Sequence, residues 1–241
     1  MLGQFLEFSL VASPLAPAYD FYTSLGFKPL PGGDLLKEPY VALFDGSIVL
    51  GLHDREAPAP QLTFVRPGLR DYVRAIRRVG IELDDLHVAD DEFHRLAFSC
   101  PDGQSVRLIE ARTCAPGAWE ASNVSGAGSF LEYSLAVDSI AAAQAFWTGL
   151  GFEVVATGES PHRWARLAGR GLVIGLHEGR FRPGLTFRGE HLEARLEYLR
   201  AKGLEPKSGS AVSTDQRRSA TLVAPEGTVL YLLDAALQEA D

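Results

Sequence analysis

One segment of this chain occurs twice. Phe5–Phe27 reads FLEFSLVASPLAPAYDFYTSLGF. Ungapped and 125 residues later, Phe130–Phe152 reads FLEYSLAVDSIAAAQAFWTGLGF, identical at 12 of 23 positions. The echo continues in Val49-Leu50-Gly51-Leu52-His53-Asp54 against Val173-Ile174-Gly175-Leu176-His177-Glu178. It returns in Leu62-Thr63-Phe64 against Leu185-Thr186-Phe187, and in Pro101-Asp102-Gly103 against Pro225-Glu226-Gly227. A repeat on this scale dictates architecture, because each copy must build the same unit. The 241 residues are therefore two copies of a unit of about 110 residues. The stretch Ala111–Gly128 between them is rich in Ala, Gly and Ser, a linker composition. The expected domains are 1–112 and 129–241, joined by a linker over 113–128.

Each copy divides again. Glycines followed by an apolar residue close four helix-like stretches, at Gly26-Phe27, Gly80-Ile81, Gly151-Phe152 and Gly203-Leu204. Turn-forming pairs keep the same beat at Asp45-Gly46, Asp102-Gly103, Ala168-Gly169 and Glu226-Gly227. Four modules follow, at 1–56, 59–112, 129–181 and 183–236. Within the first, Phe5–Val11 alternates as a strand and Pro14–Leu25 has helical spacing. Leu30–Lys37 reads as a loop or ragged strand, and Tyr40–Phe44 and Ile48–His53 as short strands. The second repeats the order with Leu62–Val65, Leu69–Val79, His94–Ser99 and Ser105–Ile109. A strand, a helix and two or three antiparallel strands give a sheet with one face under the helix and one face left for a ligand. The fold class is α+β, with curved mixed sheets and helices on the outer face. Whether modules pair within a copy or across copies stays open.

Composition excludes several roles. Thirty-one acidic against 23 basic side chains leave a net charge of -8, a poor match for a phosphate backbone or an anionic membrane surface. Two cysteines, Cys100 and Cys114, are too few for a disulfide framework. Apolar runs fall short of the roughly 18 residues of a membrane span, and the N-terminus lacks a basic leader. The expected location is the cytoplasm, with no nucleic-acid or membrane partner. No P-loop, dinucleotide fingerprint or His-Glu-x-x-His motif is present.

Paired βαβββ modules, with Phe21-Tyr22-Thr23-Ser24-Leu25-Gly26-Phe27, Phe146-Trp147-Thr148-Gly149-Leu150-Gly151-Phe152 and the Pro-Asp-Gly and Pro-Glu-Gly hairpins before Val106–Glu110 and Leu230–Asp234, resemble the vicinal oxygen chelate superfamily. That superfamily includes glyoxalase I, bleomycin-resistance proteins and extradiol dioxygenases. The resemblance covers nearly the whole chain as a tandem duplication. It implies a divalent metal (Zn, Ni, Mn or Fe) held by four inward positions per paired module. In the first copy those positions fall on Glu7, Gly51, Gln61 and Arg107, and in the second on Glu132, Gly175, Gly184 and Tyr231. The family pattern asks for His, Gln or Glu, so only Glu7, Gln61 and Glu132 qualify.

The remaining candidates are read beside these. Glu7 and Glu132 interrupt apolar strands, as a metal ligand, a general base or a carboxylate answering a nearby donor. His53 and His177 share their strand face with Gly51 and Gly175. Each could join its glutamate in holding a metal, act in acid–base chemistry, or sit at a strand-end rim. Gly51 and Gly175 admit a ligand to the backbone or mark tight sheet packing. Ser9, Ser134, Thr63 and Thr186 share the inner face and can orient a polar ligand. Arg107 can pair with Glu7 or clamp an anion, and Tyr231 can stack on a ring. Trp119 and Trp164 can lean over a pocket or pin the linker.

The leading expectation is a small-molecule-binding protein that holds a partly apolar organic ligand in a cleft without the full metal set. The alternative is a metal-dependent lyase, isomerase or hydrolase using Glu7 or Glu132 with His53 or His177. The assembly is expected to be a monomeric pseudo-dimer or a homodimer.

Overall fold

The computed structural model describes residues 2–30, 39–55, 57–91, 93–110, 125–213 and 215–235. The first copy runs β1 (Gln4–Val11), α1 (Leu15–Ser24), β2 (Lys28–Pro29), β3 (Tyr40–Phe44) and β4 (Val49–His53). The pattern then repeats as β5 (Gln61–Val65), α2 (Leu69–Arg78), β6 (Asp85–His87), β7 (Arg95–Ser99) and β8 (Ser105–Ile109). The second copy runs β9 (Ser129–Val137), α3 (Ile140–Gly149), β10 (Glu153–Gly158), β11 (Trp164–Gly169) and β12 (Leu172–Glu178). It closes with β13 (Gly184–Gly189), α4 (Leu192–Ala201), β14 (Lys207–Ser208), β15 (Ser219–Val223) and β16 (Val229–Asp234). The four glycines expected to stop helices all have positive φ, between 79° and 101°. In that region a side chain would clash with the backbone, so the sequence marks the helix ends reliably.

Modules pair within a copy. The first sheet has the order β2-β3-β4-β1-β5-β8-β7-β6 and the second β10-β11-β12-β9-β13-β16-β15-β14. At the centre of each, the first strand is parallel to the fourth of its own module and antiparallel to the first strand of the next. Ser9 thereby stands opposite both Gly51 and Gln61, and Glu7 opposite Thr63. The second copy repeats this with Ser134 opposite Gly175 and Gly184, and Glu132 opposite Thr186.

Strand alternation decides which face is which. Phe8 and Leu10 of β1, and Tyr133 and Leu135 of β9, are buried on the helix side. There the two domains meet. Phe8 lies 5.2 Å from the Tyr133 ring and 5.8 Å from Phe130, centroid to centroid. Phe98 reaches Phe146 at 6.5 Å. Buried residues from Leu2 to Leu232 form one apolar cluster that takes in both copies. Polar seams flank it: Phe5 N donates to Arg170 O at 2.8 Å, Gly126 N to Leu25 O at 2.6 Å, and the Tyr22 hydroxyl to Glu226 at 2.6 Å. The opposite face of each sheet, carrying Glu7 and Ser9 or Glu132 and Ser134, forms a cup.

One turn differs from expectation. The β11–β12 hairpin turns at Arg170-Gly171, with φ of 56° and 86°, and Gly169 belongs to the strand. Two consecutive positive φ values define the tight hairpin turn that matches strand twist. An arginine takes the first of these positions, which hides the turn from a search for glycine or asparagine pairs. Of Leu30–Lys37, only Leu30 lies within the described residues, while Trp119, Cys114 and most of the linker fall outside them. Cys100 is buried and free. Among the described residues no helix is long and apolar enough to cross a membrane.

Candidate functional site

The floor of the first cup is a closed hydrogen-bond cluster. Glu7 is 3% exposed. Its Oε1 faces His53 Nε2 at 2.9 Å and accepts from the Ser9 hydroxyl at 2.7 Å. Its Oε2 accepts from the Tyr40 hydroxyl at 2.5 Å. Ser9 and Thr63 are joined hydroxyl to hydroxyl at 2.7 Å. Burial pushes the Glu7 carboxyl up, but His53, Tyr40 and Ser9 together hold it below its ordinary value. The same carboxylate pushes the Tyr40 hydroxyl further up than burial does alone.

The second cup repeats the floor with different partners. Glu132, 1% exposed, faces His177 Nε2 at 2.6 Å and accepts from Ser134 at 2.9 Å, both at Oε1. Ser134 and Thr186 are joined at 2.6 Å. The second carboxylate oxygen meets Arg166 Nε at 2.7 Å. Burial opposes the charge, yet His177 and Arg166 outweigh it and hold Glu132 at about 2. His177 Nδ1 continues the chain to His162 Nε2 at 3.0 Å. Burial first, and then His177, push the half-buried His162 down. Glu132, His177 and His162 thus form a line along which a proton can pass between the floor and the rim.

Gly51 and Gly175 are explained by these carboxylates. A Cβ at Gly51 would collide with the carboxylate of Glu7, and one at Gly175 with that of Glu132. The group approaching each glycine is the chain's own glutamate, folded across the neighbouring strand. That arrangement corresponds to the tight-packing alternative. His53 and His177 are not rim residues either, being 4% and 5% exposed on the floor.

Other candidates are placed apart from the floor. Gln61 donates from Nε2 to the Ser105 hydroxyl at 2.9 Å rather than reaching Glu7. Arg107 pairs in register with Thr63 and Ala97 but forms no ion pair with Glu7. Tyr231 lies across Gly184, where a Cβ would come within 2.9 Å of the ring. Its hydroxyl donates to Arg182 O at 2.7 Å and its ring meets Phe181 edge-on at 6.1 Å. Trp164 places its indole Nε1 on Ser160 O at 3.1 Å, with Arg166 over its ring.

Sequence reasoning missed Tyr40, Arg166, His162 and Phe181. Two of them carried a signal. Tyr40 and Trp164 stand directly opposite His53 and His177, and Ala42 and Arg166 directly opposite Gly51 and Gly175. Counting back along each hairpin from its turn brings these residues onto the inner face.

Two curved eight-stranded sheets, each made of paired βαβββ modules with polar groups gathered in its cup, define the vicinal oxygen chelate fold. Among particular proteins of that fold, the chain is similar to an extradiol ring-cleaving dioxygenase from B. fuscum (TM-score 0.63, 14% identity, 100% of this chain and 74% of that one). It is similar to a Mn(II)-bound glyoxalase from Novosphingobium aromaticivorans (0.61, 15%, 100% and 84%) and to a catechol 2,3-dioxygenase (0.57, 15%, 100% and 91%). No protein-family model and no curated protein sequence matches. At these identities the likeness is one of fold.

The residues present do not fit a metal centre of the three- or four-ligand kind. Among the described residues no three His, Cys, Asp or Glu side chains converge. In the second cup a divalent cation on Glu132 would lie against the Arg166 guanidinium. In the first, the inward position on β8 is Arg107, which repels a cation.

Proposed function

We propose that this chain binds a small, partly apolar organic molecule in a cup of its curved sheet, without a family-type metal. One observation carries the reading: each cup carboxylate is already occupied by protein donors. Glu7 has His53, Ser9 and Tyr40, and Glu132 has His177, Ser134 and Arg166. A floor organised in this way is set before any cation arrives, and its remaining task is to orient a ligand. The buried, free Cys100 and the acidic composition agree with a cytoplasmic setting.

Elemental analysis of the purified chain, with ligand screening by thermal shift, tests the reading. The expected result is a metal content well below one per chain, with stabilisation by organic ligands. Stoichiometric metal lost in Glu132→Ala or Glu7→Ala would overturn it in favour of the metal-dependent lyase or isomerase. The His162–His177–Glu132 line favours a second reading, metal-independent acid–base chemistry in the second cup. Turnover lost in His162→Gln with ligand binding intact would establish that reading.

A further inference from the structure

The two cups differ at several inward positions, one of which lies on the last strand of each sheet. In the second, β16 presents Tyr231, tied to the Arg182 carbonyl and packed with Phe181, Val212 and Val229. That apolar plug fills the space and brings no charge. In the first, β8 presents Arg107 at the matching place, beside Thr63 on β5 and Ala97 on β7. Arg95 lies two residues from Ala97 on the same strand face, and Arg55 follows the end of β4. Burial, then the charges of Arg55 and Arg95, push the Arg107 guanidinium down to about 10, with Glu7 and Asp85 pulling the other way.

The local acids are committed. Glu7 serves His53, Ser9 and Tyr40, while Asp85 serves Arg95 at 3.1 Å and His87 at 3.0 Å. Arg107 is left, among the described residues, with no hydrogen-bond or ion-pair partner. A half-buried guanidinium among like charges is costly unless something answers it. Its planar fork suits a carboxylate or phosphate oxygen pair.

We infer that the ligand of the first cup is an organic anion, its carboxylate or phosphate group received by Arg107 with Arg95 and Arg55 flanking. The inference rests on the ligand-binding reading above and adds the ligand's charge and the cup that takes it.

The test is calorimetric titration of the full chain with four probes of similar body: benzoate, phenyl phosphate, benzamide and benzylamine. The anions are expected to bind and the neutral and cationic probes to bind more weakly or not at all. Arg107→Met is expected to weaken the anions at least about tenfold, the effect of losing one charge-assisted contact. Arg74→Met, which removes an exposed charge on α2, controls for overall charge. Without ligand, Arg107→Met is expected to melt no lower than wild type, because it removes a like charge, whereas a purely structural arginine would lower the melting point. Unchanged anion binding in Arg107→Met overturns the inference, as does preference for benzamide, and either leaves the ligand-binding reading intact. Binding by none of the four overturns both.

Discussion

The carboxylate of Glu132 lies directly over the α-carbon of Gly175, on the strand beside its own. Glu7 and Gly51 stand in the same relationship in the first copy. The glycine is a seat for the acid, and its missing side chain lets His177 and Ser134 reach the same oxygen. Gly175→Ala and Gly51→Ala are therefore expected to displace the carboxylate from its donors. Urea denaturation at pH 7 should show losses of about 1–3 kcal/mol, the cost of overpacking a filled site. A change within a few tenths of a kcal/mol at both positions would refute the arrangement.

Arg166 balances a charge that is out of contact with water. Arg166→Met strands the Glu132 carboxylate with neutral donors and His177, so a loss of about 3–5 kcal/mol is expected. The double variant with Glu132→Gln should recover part of it, because the stranded charge is then gone. Tyr40→Phe in the other cup removes a neutral donor and should cost about 1 kcal/mol. Equal losses in the arginine and tyrosine variants would show that the ion pair carries no special weight.

The acid limb of stability follows from the same pair. Glu132 sits at about 2 in the folded chain against an ordinary value of 4.5, so the unfolded chain binds its proton more tightly. Its stabilising contribution is full above pH 4.5 and fades as pH falls toward 2. Glu7, also lowered, acts in the same direction. Denaturant midpoints measured from pH 7 down to 2 should fall less steeply for Glu132→Gln than for wild type. Parallel curves would mean that Glu132 is not held ionised.

A continuous core joins the two copies, and they are expected to unfold as one cooperative unit. Phe8 belongs to β1 but touches Phe130 and Tyr133 of the second copy. Phe8→Ala is expected to cost about 3–5 kcal/mol and to shift a single unfolding transition seen alike by fluorescence and circular dichroism. Two separated transitions, with only the first moved, would show that the domains unfold independently.

Much of this was legible in the sequence because repetition exposes it. The doubled segment, the four helix-ending glycines and the alternating strands fix the modules and put Glu7, Ser9, Glu132 and Ser134 on one face. Pairing of modules was not legible, since strand patterns do not encode which neighbour a central strand takes. The partners of the carboxylates were only partly legible. Tyr40 and Arg166 arrive from hairpin strands whose register depends on turn length, and the Arg170-Gly171 turn lacks the usual residues. The two readings of the glycines could not be separated, because an empty position in a sequence does not reveal that a neighbour's side chain fills it.

The sheets meet back to back through Phe8, Phe130 and Tyr133, so the two cups open away from each other. Under the proposed ligand-binding function, the duplication gives two separately addressable cups that need not take the same guest. Contact between the copies runs through that aromatic layer and through the flanking polar seam of Tyr22 with Glu226.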